Sequence, residues 1–359
     1  MHTGICTETY EKLCKFMRLY PQQIDNQIKN EVETFFCECM DGMDTDSEKL
    51  LATLLIKALN KRINSEFIGE NIYLGRYEIA QIQLFNILIE KFPFVCFSQQ
   101  ITNRAIVEEM QGAEEVTLID IGIGQGTQVL NIIELAMGLA QLKRLHVVGI
   151  EPFGEALMKA EAAILACNGK APFEITFRAI HDTAENTDFT TLPEDLGGKV
   201  IVNASLALHH IQSSAQRTET IAKIRGINPD AFFLIEPNVN HYEPDFFARF
   251  KNCYGHFYSI FQVIDRIENI DQVDKNALKL FFGREIEDII GKEEKDRYEK
   301  HEPATHWIGR LRENRFTLKT DLLKSPVEAG CGVEISYHNE GFLGFTFQQE
   351  TVLAIMYAN

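Results

Sequence analysis

Leu118-Ile-Asp-Ile-Gly-Ile-Gly-Gln-Gly126 is the stretch on which the fold turns. With the two residues before it, it forms a short β-type run, Val116–Asp120. That run ends on a carboxylate and leads into Gly122, Gly124 and Gly126. Glycine takes positive φ without steric cost and lets a ligand come close to the main chain. Gln128 to Leu142 beyond it is apolar almost all round, which predicts a helix buried against a sheet. A Gly-rich strand-to-helix turn is the usual ligand-binding position of doubly wound sheets. The dinucleotide fingerprint is G-x-G-x-x-G. Here the glycines are spaced G-x-G-x-G, and position 127 is Thr.

Further along, β-type runs alternate with helical ones. Leu145–Ile150 is a second strand, Phe173–Ile180 a third, Val200–Ala204 a fourth and Ala231–Ile235 a fifth, with a helix expected over Glu155–Cys167. This alternation implies crossovers and a mostly parallel sheet. The tail, Val333–Tyr337, Phe342–Phe347 and Val352–Tyr357, adds a closing antiparallel hairpin. Arg315–Leu322 is also β-like, and Pro303 opens a helix through Leu311. Residues up to about 112 read as helices only, with Ile79, Ile82, Phe85 and Ile89 on one face. Pro244–Leu280 is helical and rich in aromatics. The predicted class is α/β, a doubly wound sheet plus a helical cap. Its parts are 1–85 (N-terminal helices of the cap), 86–236 (core), 237–285 (cap insertion) and 286–359 (completion of the sheet).

Candidate site residues cluster at the carboxyl ends of the strands. Glu151, directly after the second strand, can accept hydrogen bonds from both hydroxyls of a ribose. An acidic strand end with G-x-G-x-G resembles motif I of class I methyltransferases. A turn built without phosphate ligands suits S-adenosylmethionine or S-adenosylhomocysteine. On this reading Asp120, Gly122, Gly124, Gln125, Gly126, Glu151, Asp182, Thr183 and Asn203 contact the cofactor, with Asp182 toward the adenine amino group. A tight turn, a surface Glu151 and a helix-capping Asp182 are the plain alternatives. His209 and His210 after the fourth strand, and Glu236 after the fifth, are candidate catalytic groups, imidazole being a base near neutral pH. Asn103, Asn238, Asn240 and His241 complete a substrate pocket. Each histidine is equally open to a structural reading. Glu236 would either bind an acceptor or anchor a helix N-terminus of the cap.

Composition narrows the partners. The net charge is −17, from 52 acidic against 35 basic residues, so direct nucleic-acid binding is not expected. No secretory signal or membrane-length apolar run is visible, and a cytoplasmic location is expected, with delivery into another cell left open. The 8 cysteines are read as reduced thiols. Cys37 and Cys39 lack further ligands at zinc spacing, so no metal is expected.

The residues then match a family. Thr102-Asn-Arg-Ala-Ile106, Val116-Thr-Leu-Ile-Asp120, Val202-Asn203 with Leu208-His209, and Glu236 through Phe261 follow one another in order. So do Arg284-Glu-Ile286, Arg297-Tyr-Glu-Lys-His-Glu302, Trp307 and Arg310. This series resembles the GRAS family from about residue 85 to the C-terminus, although the chain ends Ile355-Met-Tyr-Ala-Asn359 in place of the family's S-A-W segment. The retained Asp120, Gly122, Gly124, Gly126 and Glu151 resemble the family's bacterial, methyltransferase-like form. That form implies a methyltransferase for a small-molecule acceptor, in which the aromatic insertion excludes water. Plant members imply the alternative, a catalytically silent ligand-binding regulator or scaffold that acts through protein contacts or as a homodimer. An oxidoreductase on a similar sheet is a third reading, and the glycine spacing argues against it.

Overall fold

The structure, a computed structural model, describes residues 7–20, 25–63, 81–192, 197–324 and 329–359. Of the helical face proposed from Ile79 to Ile89, residue 79 and the side chains of 82 and 85 lie outside this description.

The sheet is mixed. β1 (Glu115–Ile121), β2 (Arg144–Ile150), β3 (Glu174–Ile180), β4 (Lys199–Ser205) and β5 (Ala231–Pro237) run parallel in the order β3-β2-β1-β4-β5. β9 (Glu350–Ala358), β8 (Phe342–Phe347) and β7 (Val333–His338) continue the sheet antiparallel beyond β5. β6 (Leu318–Lys319) pairs with β9. β1 is central, which is why its sequence is nearly continuous in apolar residues. Its side chains alternate between two cores: Val116 and Leu118 join one, Ile119 and Ile121 the other. The chain leaves β1 for β2 on one side and returns to β4 on the other. This reversal opens a crevice at the carboxyl ends of β1 and β4, the general ligand position of such sheets.

Helices cover both faces. α5 (Pro93–Met110), α6 (Thr127–Ala136) and α7 (Gly154–Leu165) lie on the first core. α8 (Ser214–Gly226) and α11 (Ala304–Glu313) lie on the second, around the fully buried Trp307. α6 stops at Ala136, short of the expected Leu142, because Met137 and Gly138 fold back in turn hydrogen bonds onto Ile133 and Leu135. The β-like stretch 315–322 supplies only the two residues of β6.

The remaining helices pack together. α1 (Glu8–Leu19), α2 (Asn26–Met40) and α3 (Ser47–Ile63) meet α9 (Phe246–Asp265), α10 (Gln272–Ile286) and a π-helical turn at Glu287–Gly291. The 244–280 stretch is thus two helices, broken where Asp271 caps α10 by accepting the Asp274 N–H at 2.8 Å. Phe250, Tyr254, Phe257 and Phe261 are buried inside this helical layer with Leu51 and Leu55. These rings form the core of the helical layer.

Candidate functional site

The glycine turn takes its shape from three different constraints. Gly122, Gly124 and Gly126 all have positive φ, at 76°, 54° and 82°. A Cβ on Gly122 would come within 2.7 Å of Ala207 Cβ, on the segment after β4. A Cβ on Gly126 would meet Ala160 of α7 at 3.1 Å, so this glycine lets α6 and α7 approach. A Cβ on Gly124 would meet nothing within 4 Å. Gly124 is therefore where the main chain faces open space. Gln125 beside it is exposed and Gly122 is accessible.

Glu151 is buried at the end of β2 and ties the turn down. One carboxylate oxygen accepts the Gly124 N–H at 2.9 Å and the other accepts the Phe153 N–H at 3.1 Å. It is not a surface charge. Each oxygen has a second lone pair, so the group keeps acceptor capacity toward a ligand.

Asp120 starts a buried polar ladder. Asn203 on β4 donates to its carboxylate at 2.8 Å and to Gln128 Oε1 at 3.3 Å, and Gln128 donates to Asn103 Oδ1 at 2.9 Å. The ladder links β1, β4, α6 and α5. Burial pushes the Asp120 carboxyl up to about 7, with the nearby Glu151 charge adding to it and the Asn203 hydrogen bond opposing it. Asn103 is thus held inside the ladder and does not line an acceptor pocket. Asn203 Oδ1 and Thr183 Oγ1 are buried at this edge without hydrogen-bond partners. Asp182 is half-buried and accepts the Thr183 N–H at 2.8 Å. No helix follows it, so it is not a helix cap, and its Oδ2 keeps acceptor capacity.

The second half of the edge is built on β4 and β5. Glu236 is fully buried: one oxygen accepts the Leu208 N–H at 2.8 Å and the other faces His209 Nδ1 at 2.6 Å. It anchors the 3-10 turn Leu208–His210, not a cap helix as one reading expected. Burial raises the Glu236 carboxyl to about 7 and drives His209 well below its usual range, so the imidazole is neutral. His210 is exposed, its ring 4.0 Å from that of His209. Asn238 donates to Thr351 O and accepts the Ala304 N–H, fixing β9 and the start of α11. Asn240 accepts a hydrogen bond from Asn252 at its main-chain carbonyl. His241 is fully buried, with Nδ1 2.8 Å from His301 Nδ1 and its ring stacked on Phe257. Asn238 and His241 therefore hold the protein together and are not exposed in a substrate pocket.

Several important side chains are not evident from position alone. Arg217 on α8 is fully buried and donates to His209 O, Ile211 O and Glu302. Arg310 reaches the other oxygen of Glu302 at 2.9 Å, and both guanidiniums lie over Trp307. Arg297 donates to His241 O at 2.5 Å. Asp288 accepts the main-chain N–H groups of Tyr298 and Glu299 at 2.7 Å each. The Arg297–Glu302 block thereby clamps the turns that follow β4 and β5. In the sequence, Arg297, Glu302, Trp307 and Arg310 stand out as part of the family-like block, whereas Arg217 and Asp288 carry no such signal.

Open space at Gly124, the carboxylates of Asp120 and Glu151, and the unpartnered Asn203 and Thr183 oxygens form a donor and acceptor set without a phosphate cradle. Among the described residues no helix is long and apolar enough to cross a membrane, and Cys14, Cys37, Cys39, Cys96, Cys167, Cys253 and Cys331 are free thiols.

Known proteins place this architecture. The sequence profile of the GRAS domain family matches residues 37–342. The chain is 27% identical over 288 residues to the Scarecrow-like transcription factor PAT1 of Arabidopsis thaliana, covering 74% of this chain and 58% of that protein. It is 25% identical over 280 residues to the DELLA protein GAI of Gossypium hirsutum, covering 74% and 51%. The chain spans about half the length of the curated relatives it matches. The crystal structure of SCL7 from Oryza sativa superposes with a TM-score of 0.80 over 99% of this chain and 100% of that one, at 16% identity, a likeness of fold. With its profile matched over most of its length, the chain belongs to the GRAS domain family.

Proposed function

We propose that this GRAS domain is a small-ligand-binding regulator or scaffold that works through protein contacts, with S-adenosylmethionine or S-adenosylhomocysteine as its ligand. One contrast carries the reading. The turn at Gly124 stays open, while three of the polar groups expected to handle an acceptor are engaged within the protein. Glu236 holds Leu208 and His209, Asn238 holds Thr351 and Ala304, and His241 holds His301. Binding without turnover is what such a site supports. The family relatives, one of them a transcription factor by name, support a regulatory role. Within the site, Gly124 lets the ligand approach, Glu151 accepts from the ribose, and Asn203 and Thr183 offer their unpartnered oxygens.

A second reading, the methyltransferase-like bacterial form with a small-molecule acceptor, is favoured by one observation. The strand-end carboxylates and all three glycines stand together at the carboxyl edge, beside the His209–Glu236 pair. S-adenosylmethionine would supply an activated methyl group there. The protein's part would be to hold donor and acceptor in line.

Calorimetry with S-adenosylmethionine, S-adenosylhomocysteine and NAD tests the ligand. Release of S-adenosylhomocysteine on incubation with acceptor mixtures separates the readings: binding with no release supports the regulator, and sustained release supports the enzyme.

A further inference from the structure

The turn after β4, the end of α10 and the 297–302 segment bring three histidines and several carboxylates together. His209 directs Nδ1 at Glu236, so with Glu236 ionised that nitrogen carries the proton and Nε2 is left as an acceptor. Nε2 faces Glu299 Oε2 at 3.8 Å, one acceptor toward another. A cation placed between the two atoms would bind both. The ligand atoms of His209, His210 and Glu299 all lie within 4.8 Å of one another, as do those of Glu285, Glu299 and His301. An ion about 2.1 Å from each ligand spaces them by up to about 4.2 Å, so a small closure completes the set.

The surroundings match what metal ligands require. A ligating histidine usually gives its other N–H to a carboxylate, which fixes its tautomer and orientation. Glu236 stands in that place. His301 Nε2 lies 3.2 Å from the same Glu299 oxygen that faces His209, which leaves the carboxylate's other oxygen to the ion, and His301 is held in turn by His241. The main chains are fixed as well: Arg217 pins the carbonyls of His209 and Ile211, and Asp288 pins the N–H of Glu299. Arg297, buried nearby, donates to His241 O, Glu294 and the Glu299 main-chain carbonyl, and makes no hydrogen bond to the Glu299 carboxylate.

We propose that His209 Nε2, His210 and Glu299 bind one divalent first-row transition ion, with Glu236 orienting His209 and Glu285 at its flank. The donor set, two imidazoles and a carboxylate with no thiolate, suits zinc, manganese, iron or cobalt and leaves coordination positions open to an oxygen ligand. The site stands apart from the nucleoside reading and is tested without any nucleoside.

The test uses the full, tag-free chain titrated with Co²⁺ and followed by visible absorption, with Mn²⁺ binding measured by calorimetry. The proposal expects saturation near about one equivalent, with d–d bands and no thiolate charge-transfer band. His210→Ala, a change at an exposed side chain, and Glu299→Gln should each weaken binding tenfold or more. Glu236→Gln should weaken it by about 10–100-fold. Melting curves accompany each variant. If Glu299→Gln does not fold, His210→Ala decides. Non-saturable binding, a thiolate band, or affinity unchanged in His210→Ala overturns the proposal.

Discussion

The Glu151 carboxylate accepts the Gly124 main-chain N–H at 2.9 Å, joining the end of β2 to the open point of the glycine turn. One side chain thereby sets the position of the backbone that faces the proposed ligand and offers its own oxygens to it.

Replacing Glu151 by Ala should act twice. The Gly124 and Phe153 N–H groups lose their acceptor, so the melting temperature falls. Ligand affinity falls by about 1.5–3 kcal/mol, the worth of hydrogen bonds to a charged group, or more than tenfold in dissociation constant. A loss under about threefold in a folded variant would mean that Glu151 serves the turn alone.

Asp120 gives a pH dependence with a definite sign. Burial raises its pKa from 3.8 to about 7, so between those values the folded state holds a proton that the unfolded state has released. Stability from this group therefore declines as pH rises through that window and is level above it. Asp120→Asn removes the titration. Its stability relative to the parent should improve steadily from about pH 4 to pH 7 in denaturant melts. A difference that is constant with pH, or that shrinks, contradicts the buried, proton-holding carboxylate.

Much of the fold is legible in the sequence because it rests on local signals. The five parallel strands are short apolar runs, the glycines mark a strand-to-helix turn with three positive φ values, and the tail alternates as an antiparallel edge does. The family block was legible too, as residues in order. What the sequence did not carry depends on distance along the chain. The N–H groups of 298 and 299 meet Asp288, Arg217 meets Glu302 across 85 positions, and Gln128 meets Asn103 across 25. Periodicity says nothing about such pairs. For the same reason Asn103, Asn238 and His241 look like pocket residues in sequence, yet in the fold they hold segments together. The aromatic run 246–261 has a composition that suits a pocket and a core equally. Only the packing of α9 against α1 and α3 identifies it as core.

The clamp around Arg217 should be a stability determinant. Arg217→Met leaves Glu302 with one cation instead of two and frees the carbonyls of His209 and Ile211. Breaking a buried charge pair costs about 3–5 kcal/mol, which urea denaturation would register. A loss below about 1 kcal/mol would show that this pair behaves as an exposed one does.

The charge balance predicts weak contact with nucleic acid. At −17 the chain repels phosphate, and purified protein should show no submicromolar, sequence-selective binding to duplex DNA at physiological salt. A gel-shift or anisotropy titration decides this. Tight, selective binding would mean that the protein recognises DNA itself and does not depend on a partner to do so.

The central claim is that the open face of the glycine turn holds S-adenosylmethionine or its demethylated product. Its most direct test is calorimetric titration of both nucleosides and NAD into the parent and into Gly124→Val. A branched side chain there enters space where the glycine's missing Cβ meets nothing within 4 Å, although the φ of 54° adds local strain. Melting curves show whether the variant remains folded. The account predicts saturable binding of the two sulfur nucleosides to the parent, none of NAD, and at least a tenfold loss in a folded Gly124→Val. A parent that binds neither nucleoside, or a folded variant that binds as tightly as the parent, contradicts it.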